Sequence, residues 1–274
     1  MHLVEKSLHY SNTEKGEKTS GFSITAFAVE SLDDASDSDY SQCTKKQDHV
    51  ISFSAGVKNR RGGGGSHIAL LNFDYDGVLV DSCERLLQKA VEAQVSLGAG
   101  RAPTKEDFEN STDLNSKNMA KTIGIPEDLH SRFAHNVFTL LKHDSEYDAL
   151  FPGIASVIRT LARQHTITVI TANLGSNVRK VMQQNGLGSC ISEIFDGAQP
   201  GTKSEKIHSA LRKFNRGPSD AFMIGDTIGD VRQGKIAGVK TIAVTWGFQN
   251  TQLLSKEMPD YLIDSPEDLL DILL

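Results

Sequence analysis

Residues 70–82 read LLNFDYDGVLVDS. The apolar run Leu70–Phe73 ends in two aspartates, Asp74 and Asp76, one residue apart. Gly77 and a second apolar run, Val78–Val80, follow. The pattern predicts a short buried strand, beginning near His67, that leaves its sheet through a tight turn. Residues i and i+2 of an extended chain face the same way. Both carboxylates therefore look into one crevice, where they repel each other unless a cation sits among them.

The flanking sequence changes rhythm on either side of residue 150. Asp81 and Glu84 resemble a capping box, and Leu87, Val91 and Val95 continue at helical spacing to Gly98. LNSKNMAKTIG predicts a helix stopped by Gly124. PEDLHSRFAHNVFTLLKH predicts another, with Pro126 in its first turn and Leu129, Phe133, Val137 and Leu140 on one face. No strand candidate falls between about residues 83 and 150. After Phe151-Pro152-Gly153, helices alternate with the strands TITVITAN, SEIFDGA, DAFMIGD, VKTIAVTW and YLID, and SPEDLLDILL closes the chain as a helix. Alternation of this kind predicts an α/β fold, a Rossmann-like parallel sheet covered on both faces. The expected layout is a core of residues 67–82 and 151–274, with an all-helical cap, 83–150, inserted after the first strand.

Ligands of open parallel sheets bind beyond the carboxyl ends of the strands. The polar residues at those ends are Asp74 and Asp76, then Thr171 in VITAN, Lys203 at the start of the next helix, and Asp226 and Asp230 in GDTIGD. Oxygen donors without nitrogen or sulfur favour Mg2+, which is usually bound together with substrate phosphate. Lys203 is then a point charge for phosphate oxygens and Thr171 a hydrogen-bond donor. Backbone amides of the turn after Asp74 offer a further cradle for the anion.

These motifs, in this order and at these strand ends, resemble the haloacid dehalogenase superfamily over roughly Ile68–Leu274. AGVKTIAVTWGF and YLIDSPEDLL are most similar to its phosphoglycolate phosphatase-like branch. The resemblance implies that Asp74 is a nucleophile forming an aspartyl-phosphate, and that Asp76 is the general acid and then the general base. It implies phosphate contacts from Thr171, Ala172 and Lys203. It implies a magnesium site of Asp74, the Asp76 carbonyl and Asp226, with Asp230 supporting the ion or fixing Lys203. The substrate expected is a small phosphorylated metabolite, phosphoglycolate-like or a sugar phosphate. A sugar-phosphate mutase uses the same acids, and a non-catalytic binding role is the other alternative; a dehalogenase would lack the second aspartate. Three positions depart from the family pattern. Asn72 is polar inside a strand, Tyr75 stands where an aliphatic residue is usual, and Lys203 lies in PGTKSE, with Lys206 as its rival one turn later.

Bulk properties exclude other classes. A net charge of -6 and a pI near 5.8 argue against nucleic acid as a main partner. The apolar runs are too short to span a membrane, and the first twenty residues lack the apolar centre of a signal peptide. Cys43, Cys83 and Cys190 have no metal or disulfide spacing, so a cytoplasmic location is expected. Residues 1–66 contain the acidic run ESLDDASDSDY and the glycine-rich KNRRGGGGS, and read as a largely disordered extension. GFSITAFAVE and ISFSAGV within it are candidates for a weak hairpin. In the cap, His130, His135 and His143 lack metal-ligand spacing. Arg101, Lys105, Lys117 and Arg132 are the cations considered for substrate contact.

Overall fold

A computed structural model describes residues 68–142 and 149–274. The candidate hairpin, Cys43, His67 and His143 lie outside the described residues. Six parallel strands form one sheet: β1 (Leu70–Phe73), β2 (Thr166–Ile170), β3 (Glu193–Phe195), β4 (Ala221–Gly225), β5 (Lys240–Val244) and β6 (Tyr261–Ile263). Their order is β3-β2-β1-β4-β5-β6. The sheet grows from β1 toward β3 and then returns to build on the other side of β1. That reversal opens a crevice at the carboxyl end of β1, beside the ends of β2 and β4.

Among the described residues, four α-helices lie between β1 and residue 150: α1 (Cys83–Leu97), α2 (Lys105–Glu109), α3 (Ser116–Thr122) and α4 (His130–Lys142). Six follow: α5 (Ile154–Leu161), α6 (Gly175–Gln184), α7 (Lys203–Phe214), α8 (Ile228–Ala237), α9 (Thr251–Lys256) and α10 (Asp268–Leu273). The protein is thus an α/β sheet with an inserted helical cap. Side chains of β1 alternate between faces. Leu71 and Phe73 pack with α5, α6 and α10, whereas Leu70 packs with α7 and α8. The cap helices bury their own cluster, including Leu86, Phe108, Met119, Phe133 and Val137. On α4 the buried face ends at Leu141 rather than Leu140. Among the described residues no helix is long and apolar enough to cross a membrane.

Asn72 is fully buried on the α7/α8 side of β1 and serves both neighbouring strands. Its Nδ2 donates to the Phe222 carbonyl at 2.8 Å, and its Oδ1 accepts from Thr168 Oγ1 at 2.8 Å. A polar residue in the central strand is therefore satisfied by the sheet itself, not by a loop. Tyr75 is buried in the core cluster with Val78 and Leu79.

Two extended segments join cap to core, and they pair with each other. Asp81 N–H donates to the Ala149 carbonyl at 2.9 Å and Phe151 N–H to the Leu79 carbonyl at 3.1 Å. Within the cap, Arg101 binds Asp107 through two hydrogen bonds of 2.7 and 2.6 Å. Asp107 also accepts from Thr104 N at 2.8 Å, closing a capping box that sets α2 and its Phe108. The Arg101 bonds, together with those from Thr104, lower the Asp107 pKa to about 2. A carboxylate whose folded pKa lies below its unfolded value of about 4 stabilises the fold fully above that pH. The contribution disappears as pH falls through the folded pKa. Asp107→Asn is expected to cost about 1 kcal/mol at pH 7, the scale of a lost cap and an exposed ion pair. Urea denaturation should show the gap to wild type narrowing as pH falls from about 4 toward about 2; a gap independent of pH would contradict this.

Candidate active site

Asp74 is the first residue past β1, and its N–H still donates to the Ile224 carbonyl of β4 at 2.9 Å. The chain then winds through one tight loop. The amides of Val78, Leu79 and Val80 all turn back on the Tyr75 carbonyl, and Gly77 N–H donates to Val80. Tyr75 N–H holds Asp74 Oδ1 at 2.8 Å. The amides of Tyr75, Gly77, Val78, Leu79 and Val80 are thus turned inward, because the loop uses them to close on itself. Gly77 has φ +76, and a Cβ there would lie 2.1 Å from Asp226 Oδ2. Its glycine identity is set both by the turn and by the acid beside it.

Asp226 and Asp230 come from the loop after β4 and the first turn of α8. Asp226 Oδ2 accepts from Phe248 N at 2.7 Å. Asp230 Oδ2 closes the α8 capping box with Thr227, at 2.6 Å from its Oγ1. A Cβ at Gly225 or Gly247 would collide with Asp230 or Asp226, so the backbone fits tightly around both carboxylates. Lys203, first residue of α7, brings Nζ within 2.5 Å of both Asp74 Oδ2 and Asp230 Oδ1. Lys206, the rival, instead donates to the carbonyls of Asp196 at 2.7 Å and Thr171 at 3.4 Å.

The second aspartate faces a different set of partners. Asp76 Oδ1 accepts from Ser82 Oγ at 3.0 Å, and Oδ2 accepts from Asn173 Nδ2 at 3.1 Å. Ser82, not Asp81, is the N-cap residue of α1, and its hydroxyl makes no cap bond. The anticipated Asp81/Glu84 capping box is absent because the residue at the cap position reaches Asp76 instead. Asn173 N–H donates to Thr171 Oγ1 at 2.9 Å, leaving the hydroxyl its own hydrogen to donate. Thr171 and Ala172 both line the same cavity as the acids, a space of about 1190 Å³. Sequence reasoning passed over Ser82, Asn173 and Phe248 as site residues. Asn173 carried the one available signal, a polar side chain two residues past Thr171 at a strand end.

Burial dominates the electrostatics. It raises the Asp74 pKa to about 7, with Lys203 pulling the other way and Asp230 adding to the rise. Burial likewise raises Asp76, opposed by its bonds from Asn173 and Ser82. Asp226 is raised well above the usual carboxylate range by burial, then by Asp230 and Asp74. Burial works against the charge on Lys203, but Asp230 and Asp74 outweigh it and raise its pKa.

Carboxylate oxygens of Asp74, Asp226 and Asp230 lie within 4.8 Å of one another. Asp226 Oδ1 is buried and accepts no hydrogen bond from any described residue. Buried oxygens in that state need a partner, and an all-oxygen donor set of this charge fits a divalent cation. Asp76 contributes no carboxylate to the cluster.

Carboxylates gathered at the ends of parallel strands under an inserted helical lid define a class of hydrolase, and the comparisons specify which. Haloacid dehalogenase-like hydrolase is the family that matches residues 71–244, and the chain belongs to it. Among its relatives, phosphoglycolate phosphatase of Synechococcus elongatus is 28% identical over 200 residues, 72% of this chain and 93% of the relative. Pyrophosphatase PpaX of Bacillus velezensis is 26% identical over 220 residues, covering 75% of this chain and 96% of the relative. A haloacid dehalogenase-like family hydrolase of Streptococcus pneumoniae shares the fold at a TM-score of 0.67 and 24% identity, over 77% of this chain and 100% of that one.

If the cluster holds a divalent cation, saturating MgCl2 should raise the thermal midpoint of wild type and not that of Asp226→Asn. At a hundred times Kd the gain is about 2.7 kcal/mol. In EDTA the variant should be at least as stable as wild type, since one buried charge has been removed from a repelling group. An equal magnesium shift in both proteins would contradict the assignment.

Proposed function

We propose that the chain is a magnesium-dependent phosphatase that hydrolyses a small phosphomonoester through an aspartyl-phosphate on Asp74, with residues 83–150 as its lid. The observation that carries this reading is the division between two acids two residues apart. Asp74 lies beside Lys203 and the carboxylate cluster, whereas Asp76 is held apart from it by Ser82 and Asn173. Relatives named phosphoglycolate phosphatase and pyrophosphatase support phosphate as the group acted upon.

In the first step an Asp74 oxygen forms a bond to phosphorus while the bond to the ester oxygen breaks. Asp76, kept protonated more readily by burial, gives its proton to the departing alkoxide. In the second step water attacks the phosphorus of the acyl phosphate and passes a proton to the Asp76 carboxylate. Inorganic phosphate leaves and Asp74 is restored. Lys203 neutralises the phosphoryl oxygens and Thr171 donates its hydroxyl hydrogen to them. Ala172 lines the same wall. Magnesium, held by Asp74, Asp226, Asp230 and the Asp76 carbonyl, would supply charge neutralisation at the phosphoryl group. Closure of the lid excludes bulk water.

Phosphate release from p-nitrophenyl phosphate tests the reading. It should require Mg2+, fall at least about a thousandfold in Asp74→Asn, and fall about 10²–10⁴-fold in Asp76→Asn. Activity that survives EDTA, or an active Asp74→Asn, would exclude the mechanism.

A further inference from the structure

The cap's approach to the site is also fixed by a clasp made by the loop after β5, the loop whose Trp246 donates to the Val78 carbonyl of the first connecting segment at 3.2 Å. Gln249, in the loop after β5, accepts from Ile228 N at 2.6 Å through Oε1 and donates to the Ser111 carbonyl at 2.7 Å through Nε2. Asn250 donates to the Glu109 carbonyl through Nδ2 at 3.0 Å, and Arg232 donates to the Thr112 carbonyl at 3.2 Å. Phe248 packs edge-on against Phe108 of the cap, with ring centroids 6.4 Å apart. The same Phe248 supplies the N–H that holds Asp226. The stretch 108–115 is thereby tied to the core, and its Phe108, Asp113, Leu114 and Asn115 line the same cavity as the carboxylate cluster.

That wall is apolar and acidic. From the cap it presents Leu86, Phe108, Leu114, Asp113 and Asn115, with Phe248 opposite. Among the described residues, no lysine or arginine of the cap lines the cavity. Arg101 is bound to Asp107 and Lys105 is 3.4 Å from Glu109. Among the described residues lining the cavity, six carboxylates face three cations, Lys203, Lys206 and Arg212. Lys203 serves Asp74 and Asp230, and Lys206 is occupied by backbone carbonyls. Arg212 is nine residues further along α7, about 13 Å at the helical rise, and donates to Ser209. Arg85 of α1 is near enough to Asp76 to lower that carboxyl's pKa, but it is partnered and does not line the cavity. A second anion on the substrate, next to the phosphate, therefore meets Asp113, Asn115 and apolar surface; Arg232 interacts with Asp113 and Glu257 from outside the lining. The cavity volume of about 1190 Å³ exceeds the ~300–1,000 Å³ typical of sites for drug-sized ligands. A two-carbon substrate would leave most of it unfilled.

We infer that the site selects phosphomonoesters whose alcohol part is uncharged and partly apolar, and discriminates against monoesters bearing a second anionic group, such as phosphoglycolate, and against the doubly anionic anhydride pyrophosphate. This rests on the phosphatase reading above and departs from the names of the relatives.

The test is kcat/KM of the full chain with Mg2+ on phenyl phosphate, phosphoglycolate and pyrophosphate. Phenyl phosphate should exceed each of the others at least threefold, and any smaller ratio overturns the inference while leaving the phosphatase reading intact. Turnover of none of the three, nor of p-nitrophenyl phosphate, would remove both. Asp113 is exposed, so Asp113→Lys should fold. It is expected to shift the ratio toward phosphoglycolate by fivefold or more, and an unchanged ratio would overturn the assignment of the selecting wall. Phosphoglycolate turnover that equals phenyl phosphate and is lost in Arg85→Ala would show that Arg85 supplies the missing cation, which also overturns it.

Discussion

Lys203 Nζ sits 2.5 Å from an oxygen of Asp74 and 2.5 Å from an oxygen of Asp230. Without that cation, buried carboxylates from two separate strand ends would repel with little solvent to screen them. The arrangement constrains the rest of the fold. β1 must lie between β2 and β4 so that its end opens beside theirs. α7 must begin at Lys203, which its Thr202–Glu205 capping box ensures. Gly77, Gly225 and Gly247 must lack side chains so that backbone can close around Asp226 and Asp230. One lysine does not match three clustered acids, and the buried Asp226 Oδ1 without a described hydrogen-bond partner is where the remaining imbalance is concentrated.

The two aspartates of the first loop are separated chemically by what surrounds them, although they are adjacent in sequence. Asp74 belongs to the cationic side. Asp76 belongs to Ser82, the first residue beyond the connecting segment, and to Asn173, two residues past Thr171. A donor that starts the cap thus holds the proposed acid–base group. From the loop after β5, Phe248 ties Asp226 to the cap's apolar cluster. The start of the lid at Ser82 and its interior at Phe108 therefore both connect to the candidate site, and lid position and site geometry are mechanically connected.

The order of the strands and of most helices was legible because each buried strand is a short apolar run and most helices are punctuated by glycine or a capping residue, whereas the short α2 and α9, of five and six residues, gave no periodic signal. Asp74, Thr171, Lys203, Asp226 and Asp230 were legible for a related reason: a parallel sheet delivers whatever follows its strands to one edge. Spacing alone left Lys203 and Lys206 as rivals. The distinction arises because the first residue of α7 reaches Asp74 and Asp230, while the residue three later reaches the backbone carbonyls just after β3 and β2. Ser82 was hidden because it occupies an N-cap, where a serine is ordinarily explained by the helix. Phe248 was hidden because it acts through its backbone N–H, which no side-chain pattern records. Asn72 looked anomalous until its two partners, on β2 and β4, were seen to lie on either side.

The central claim is that Asp74 carries the phosphoryl group between two half-reactions. Acid quenching during turnover, followed by borohydride reduction and peptide mass spectrometry, reads this directly, since an acyl phosphate on aspartate is reduced to homoserine. The account predicts homoserine at position 74, dependent on Mg2+ and on substrate. Turnover with aspartate recovered intact at position 74, or with homoserine at position 76, would contradict it.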